Sequence, residues 1–309
     1  MQVSVVIPTY NRKQILQKCL LALENQILND LVSSYEIIVV DDGSTDGTSE
    51  WIKDNKNKLS HVILYKQDHG GPALGRNLGV MKANYEVIIF IDSDLIVLND
   101  FLVSHASKLL VGWKKYNKKC FTYGSVINTS NFNNPINESY KLSDISFAYF
   151  ATGNVSISKE LLLKAGLFDT SFSLYGWEDL ELGERLKRLG TKLIKCPRAV
   201  GFHWHPAFEL NQINSLIEKE KDRAKMALLF YKKHQNLRVR FIIQLTIIHR
   251  MLWFLLCFGG LINIQRLMPI LRILVKAGRN GLALELLKIP LNLIYVETLH
   301  KLNRNKLFS

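Results

Sequence analysis

The residues of this chain that could do chemistry fall in short clusters, beginning with Asp92-Ser93-Asp94, which follows the apolar run Val87-Ile88-Ile89-Phe90-Ile91. Two carboxylates one residue apart in a turn can both reach one hard cation, Mg²⁺ or Mn²⁺, whose other ligands are water and phosphate oxygens. A metal-held diphosphate is the chemistry implied. A solvated turn is the bland alternative for so short a motif, and the apolar strand in front of it favours the cation. Asp41-Asp42 close a second apolar run, where carboxylates need donors; the edge of a base or a ribose would supply them. Behind them Ser44 and Thr45 read as caps of a helix starting near Asp46. His69-Gly70-Gly71-Pro72 leads into a helix bearing Arg76, and such a helix start favours anionic oxygens, so Arg76 is either nucleotide-facing or a plain surface charge. In Gly176-Trp177-Glu178-Asp179 two carboxylates open a helix, where the macrodipole stabilises them. One of them could take a proton from a substrate hydroxyl, with Trp177 as an apolar platform, while Glu181 and Glu184 read as ordinary helix charge. Finally, His203-Trp204-His205 puts two imidazoles on one face of an extended segment, one of which could complete the cation's shell.

These clusters need a scaffold that brings them to one place. The first half alternates β-branched runs at Val3–Ile7, Glu36–Val40, Val62–Lys66 and Val87–Ile91 with helical patterns at Lys13–Asn25, Asp46–Asn55, Ala73–Ala83 and Phe101–Trp113. Nearly continuous apolar strands are covered on both faces, which predicts an α/β fold with a mostly parallel sheet. Ligands of such sheets bind beyond the carboxyl ends of the strands, where Thr9-Tyr10-Asn11-Arg12, Asp41-Asp42-Gly43-Ser44, His69-Gly70-Gly71-Pro72 and Asp92-Ser93-Asp94 follow the four strands in turn. Residues 120–127, Ala148–Ile157, Lys192–Lys195 and Ala199–Trp204 read as further strands. Between the first two, 128–145 reads as a loop over the site. Lys159–Ala165 and Glu178–Leu189 read as helices closed by Gly166 and Gly190.

From about residue 209 the pattern changes to a basic helical segment, Glu209–His234, then a very apolar one, Phe241–Ile264. The expected division is a catalytic domain over 1–208, with halves of about 1–115 and 116–208, and a helical region over 209–309. The 14 residues Met251–Ile264 carry no charge, yet a spanning helix needs about 20 apolar residues. Arg266, Arg272, Lys276, Arg279 and Lys288 among leucines and isoleucines suit an amphipathic helix on an anionic membrane surface; a packed helical subdomain and a single span are the alternatives. Lys and Arg exceed Asp and Glu by 40 − 27 = 13, and so basic a chain usually meets phosphate in some form. The excess falls largely towards the C-terminus rather than among aromatics of the catalytic half, which argues against nucleic acid. Cys19, Cys120, Cys196 and Cys257 have no ligand-like spacing and read as reduced core residues of a cytoplasmic protein. Val3–Ile7 is too short for a signal-peptide core.

Taken together, Val6-Ile7-Pro8-Thr9-Tyr10-Asn11-Arg12, Val39-Val40-Asp41-Asp42-Gly43-Ser44-Thr45-Asp46, Gly75-Arg76-Asn77 and Phe90-Ile91-Asp92-Ser93-Asp94 resemble the family 2 glycosyltransferases of GT-A fold. Thr152-Gly153-Asn154 through Leu167-Phe168-Asp169, then Trp177-Glu178-Asp179, resemble the carboxyl half of the catalytic domain in galactosyl-transferring members. The resemblance covers about residues 1–206. It implies inverting transfer from a nucleoside diphosphate sugar, usually UDP-linked, to a glycan or lipid-linked acceptor, with Mn²⁺ or Mg²⁺. It also implies roles: Pro8, Thr9, Tyr10, Arg12, Asp41, Asp42, Arg76, Asp92 and Ser93 for the nucleotide sugar, and Asp92, Asp94 and His203 for the metal. Asp179 would be the base, with Glu178 beside it, and Gly153, Asn154 and Trp177 would line the acceptor site. A nucleotidyltransferase would share the nucleotide and metal but lack an acceptor base such as Asp179, and a catalytically inactive sugar-binding protein would not keep Asp92, Asp94 and Asp179.

Overall fold

The computed structural model describes residues 1–146 and 148–305, in two compact units, one of residues 1–173 and 178–205 and the other of 174–177 and 206–309. The first unit is built on eight strands: β1 (Gln2–Thr9), β2 (Ser34–Asp41), β3 (Val62–Lys66), β4 (Val87–Ile91), β5 (Leu95–Val97), β6 (Cys120–Thr129), β7 (Asn154–Ser158) and β8 (Lys192–Trp204). They form one sheet in the order β3-β2-β1-β4-β7-β6-β8-β5. Its helices are α1 (Lys13–Glu24), α2 (Thr48–Asp54), α3 (Pro72–Lys82), α4 (Phe101–Tyr116), α5 (Lys159–Ala165) and α6 (Glu178–Arg188).

Strand alternation explains why the central strands are apolar throughout. Val3, Val5 and Ile7 of β1 enter a core with Leu16, Leu20 and Leu23 of α1 and Phe101, Leu102 and Leu109 of α4. Their neighbour Val6 points the other way, into a core with Val80 of α3 and Leu182 and Leu186 of α6. The same division splits Ile37 and Val39 from Ile38 and Val40. A strand buried on both faces has no polar face to show.

Pairing directions bring the clusters together. β1, β2, β3 and β4 are mutually parallel, so Thr9, Asp41, Lys66 and Ile91 end on one edge of the sheet. β7 runs against both β4 and β6, which pairs Ile91 with Asn154 and brings the residues before β7 to that same edge. β8 is parallel to β6, so its last residues, His203 and Trp204, arrive there too. The sheet is thus parallel in the first half and mixed in the second. Residues 148–153, read as strand from sequence, lie outside β7, and the two short strands read over 192–204 are one strand with a register shift at Gly124/Ser125 of its partner. β5, three residues long, gives too short a pattern to read.

The second unit is helical: α7 (Ile213–Lys233), α8 (Leu237–Ile242), α9 (Ile247–Leu256), α10 (Ile264–Lys276) and α11 (Asn280–Asn305). Its core includes Phe208, Ile213, Leu267, Leu271, Leu287 and Leu291. The apolar stretch read as one segment over Phe241–Ile264 is broken. Ile243 ends α8, Gln244 takes a φ of +61°, and the Thr246 side chain caps α9 by accepting from the His249 amide. The last four residues, 306–309, lie outside the described residues.

Helix α3 approaches β1 so closely at Gly79 that an ideal Cβ there would sit 2.3 Å from Val6 Cγ1. That approach sets Arg76, one turn earlier, over the sheet edge. Overpacking a filled core costs about 1–3 kcal/mol. Gly79→Val is therefore expected to lower unfolding stability by about 2 kcal/mol or more, read from the midpoint of a urea titration; an unchanged midpoint would contradict the packing described.

Candidate active site

The turn after β4 separates its two aspartates. Asp94 is buried and its carboxylate meets two basic side chains, Arg12 Nη1 at 2.5 Å from Oδ2 and His203 Nε2 at 2.9 Å from Oδ1. Burial pushes the Asp94 carboxyl up, but the His203 hydrogen bond and the charges of His203 and Arg12 prevail and hold it below its usual range. For His203, burial lowers the imidazole, and Asp94 more than reverses that, leaving it raised. His205 lies against His203, with ring centroids 4.0 Å apart, as expected for alternate residues of one extended segment. Ligand atoms of Asp94, His203 and His205 all lie within 4.8 Å of one another, a spacing that one ion could bridge. Both histidines thus belong to the cluster. Asp92, expected to share the cation, turns instead to Arg76, with Oδ1 3.1 Å from Nη2. Ser93 between them is buried. On the α1 side of Arg12 opens a cleft of about 500 Å³ lined by Asn11, Arg12, Lys13, Gln14, Asp46 and Trp204 among others. It adjoins the cation cluster through Arg12 and Trp204, and its walls do not include Glu178 or Asp179.

Arg76 is the hub of the other half of the site. It is buried, and besides Asp92 its Nη1 lies 3.2 Å from Glu178 Oε1 and 3.6 Å from Asp179 Oδ1. The reading of Arg76 as a plain surface charge is thus replaced by an ion-pair hub. Asp179 Oδ2 accepts from the Thr152 amide at 3.0 Å and the Thr152 hydroxyl at 2.9 Å, while Oδ1 is buried and makes no hydrogen bond. Burial, then the charge of Asp179, raise the Glu178 carboxyl from its ordinary 4.5 to about 7, against the opposing pull of Arg76. Gly153 lets Asp92 lie close to the backbone, since a Cβ there would stand 3.2 Å from Asp92 Oδ2. A further glycine, Gly75, lets α3 rest on Pro8, whose Cβ would be 3.1 Å from an added Cβ.

The turns after β1 and β2 are laced together. Asn11, at a φ of +51°, donates its amide to Ser44 Oγ and accepts from the Thr45 amide, and Lys13 N donates to Asp46. The expected Ser44 or Thr45 cap is replaced by Asp46, which accepts from the amide and hydroxyl of Thr48 at the start of α2. Asp41 is buried with one oxygen on the Ser44 amide and the other on the Ser49 hydroxyl. It shapes the turn from within, rather than reaching outward. Asp42 does the same for the glycine loop, accepting from Gln67 Nε2, Gly70 N and Gly71 N, with His69 Nδ1 2.8 Å away. What faces outward is Tyr10, 43% exposed and stacked on His69 with ring centroids 4.1 Å apart, a flat surface of the kind on which a base can stack. Thr9 Oγ1 beneath is buried without a partner.

One acceptor-site expectation is corrected. Asn154 is fully buried, its side-chain N–H groups donating to the carbonyls of Ser125 and Ala199 and its oxygen accepting from His105, so it ties β7 to β6 and β8 from inside the core. Trp177 packs in the helical unit beside Phe230 and Tyr295 and donates its indole N–H to Arg223 O. Its φ of +79° is strained for a bulky residue and persists where surroundings over-determine it. Sequence reading named Thr152 and His69 within their motifs without giving either a role, and it missed the Arg12–Asp94 pair. A threonine or a lone histidine carries no motif of its own, and the pair joins residues 82 apart.

Residues 4–153 match the family described as Glycosyl transferase family 2. Over 246 residues the chain is 29% identical to a chondroitin synthase of Escherichia coli, an alignment covering 68% of this chain and 35% of that one. This chain belongs to glycosyltransferase family 2. It spans about a third of that synthase's length. Among solved structures, a mannosyltransferase of Pyrobaculum calidifontis in complex with GDP-Man and Mn²⁺ is similar with a TM-score of 0.60 and 18% identity, over 96% of this chain and 86% of that one. TarS of S. aureus in complex with UDP-GlcNAc is similar with a TM-score of 0.56 and 16% identity, over 99% and 92%. The fold is GT-A, with a C-terminal helical region.

In this family 2 chain Glu178 gives the site a pH signature. A carboxyl whose folded value lies above its unfolded one binds protons more tightly in the native state, so its contribution to stability is complete below about 4.5 and lost as pH rises through about 7. Relative to wild type, Glu178→Gln is expected to hold its unfolding free energy better between pH 5 and 7, as measured by denaturant titrations across that range. Parallel pH profiles for the two proteins would contradict the raised value.

Proposed function

We propose that this chain transfers a sugar from a nucleoside diphosphate sugar, uridine-linked, onto a hydroxyl of a glycan or lipid-linked acceptor, with inversion, in the building of a cell-surface polysaccharide at the cytoplasmic face of a membrane. The observation that carries the reading is Asp179. One of its oxygens is fixed by Thr152, and the other is buried without a hydrogen bond and faces Arg76, which also holds Asp92 of the donor-side turn. A carboxylate so oriented is placed to accept a proton. The acceptor oxygen attacks the anomeric carbon, its proton passes to Asp179, and the bond from that carbon to the diphosphate oxygen breaks. No covalent enzyme intermediate is required.

Asp94, His203 and His205 would hold the divalent ion. Two imidazoles with one carboxylate are a softer donor set than Mg²⁺ favours, and Mn²⁺ is present with the sugar nucleotide in the Pyrobaculum neighbour, so Mn²⁺ is the ion proposed. When bound it would offset charge on the departing diphosphate. Tyr10 and His69 offer the stacking surface for the base, with UDP-GlcNAc in TarS supporting the uridine choice. The chondroitin synthase relative supports a polysaccharide product.

General-base catalysis contributes typically 10²- to 10⁴-fold. Asp179→Asn should lose about 100-fold or more in transfer, measured with radiolabelled UDP-sugars and Mn²⁺, while calorimetric affinity for the donor stays within about three-fold. Transfer at the wild-type rate would remove the base assignment.

A further inference from the structure

The apolar segment of the helical unit has the length and composition to cross a bilayer over Leu237–Leu256, 20 residues, but not the backbone. The turn at 243–246 divides it into α8 and α9, and ten residues of α9 rise only about 15 Å at 1.5 Å each, against a hydrocarbon core of about 30 Å. What α9 has instead is exposure. None of its residues is buried, and Ile247, Ile248, Met251, Leu255, Phe258 and Leu261, running from its start through the turn beyond it, are each 58–71% exposed. In α10, Leu267 and Leu271 face the helical core while Ile270 and Ile273 are exposed alongside Arg266 and Arg272. Contiguous apolar surface on this scale marks an interaction site.

Charge identifies the partner. Residues 237–280 contain seven Lys or Arg and no Asp or Glu. A second copy of the chain would bring one set of cations against another, a juxtaposition that costs affinity. A surface carrying anionic phosphates would neutralise them. We propose that α9, the turn after it and α10 form an interfacial anchor that lies in the plane of an anionic phospholipid membrane without spanning it. The apolar side chains of α9 enter the headgroup and upper acyl region, to a depth of roughly 5–10 Å, while the α10 arginines pair with lipid phosphates. The anchor shares with the function proposed above the expectation of a membrane-bound acceptor, and it deepens that reading by giving the mode of attachment.

Flotation of the full chain with phosphatidylcholine vesicles, with and without phosphatidylglycerol, tests this. Co-flotation is expected with phosphatidylglycerol and weak without it. Each basic residue near an anionic surface is worth roughly five-fold in partitioning, so Arg266→Glu with Arg272→Glu should weaken binding by about 25-fold or more. Ile248→Asp with Leu255→Asp, both exposed and hence harmless to folding, should abolish it. Absence of flotation with phosphatidylglycerol vesicles, or undiminished flotation of the aspartate variant, overturns the proposal. So does a dimer in lipid-free light scattering that the aspartate variant dissociates and that never floats, which would assign the surface to a second copy. Transfer to a water-soluble acceptor fragment separates the two readings: transfer without flotation defeats the anchor alone, and flotation without transfer defeats the transferase reading alone.

Discussion

One buried guanidinium holds three carboxylates of this protein together. Arg76 meets Asp92, Glu178 and Asp179 within 3.6 Å, and these come from the turn after β4 and the first turn of α6. Burying a charge is costly unless it is paired. Each of these groups therefore requires the others, and the requirement fixes where the donor-side turn stands relative to the candidate base. One guanidinium faces three carboxyl groups. Burial first, and then the charge of Asp179, raise the Glu178 carboxyl against the pull of Arg76, and the remaining carboxylates make the edge of the sheet attractive to a cation and to basic side chains.

A second balance sits beside the first. Asp94 takes Arg12 and His203, so the Asp-x-Asp motif is divided between two cationic partners. The division follows from the fold. β4 delivers the motif to the sheet edge, α3 reaches it from one face with Arg76, and β8 brings His203 to the same edge. Close glycine contacts at Gly75, Gly79 and Gly153 make the approach of α3 and of the β7 turn possible.

Much of this was legible in sequence, for identifiable reasons. Continuous β-branched runs revealed strands buried on both faces, and clusters at their ends revealed the edge where Asp92, Asp94, Asp179 and His203 meet. Motif residues read less well by role than by place. Asp41 and Asp42 looked like ligands because carboxylates at strand ends need donors, and the structure supplies those donors from the Ser44, Gly70 and Gly71 amides. Asn154 looked like an acceptor contact, yet it bonds three strands or helices from inside the core. Thr152, His69 and the break at Gln244 depend on partners or backbone angles that no local spacing encodes. The antiparallel β7 was likewise hidden, because five buried residues show no difference between parallel and antiparallel pairing.

The central claim is that Arg76 positions the candidate base, Asp179, rather than merely holding the nucleoside. Steady-state transfer by Arg76→Gln and Arg76→Lys, alongside calorimetric donor affinity for each folded variant, separates the two roles. The account predicts that Arg76→Gln loses about 100-fold or more in kcat with donor Kd changed by less than about ten-fold, and that Arg76→Lys recovers part of the rate. A wild-type kcat with the whole loss in donor Kd would contradict it.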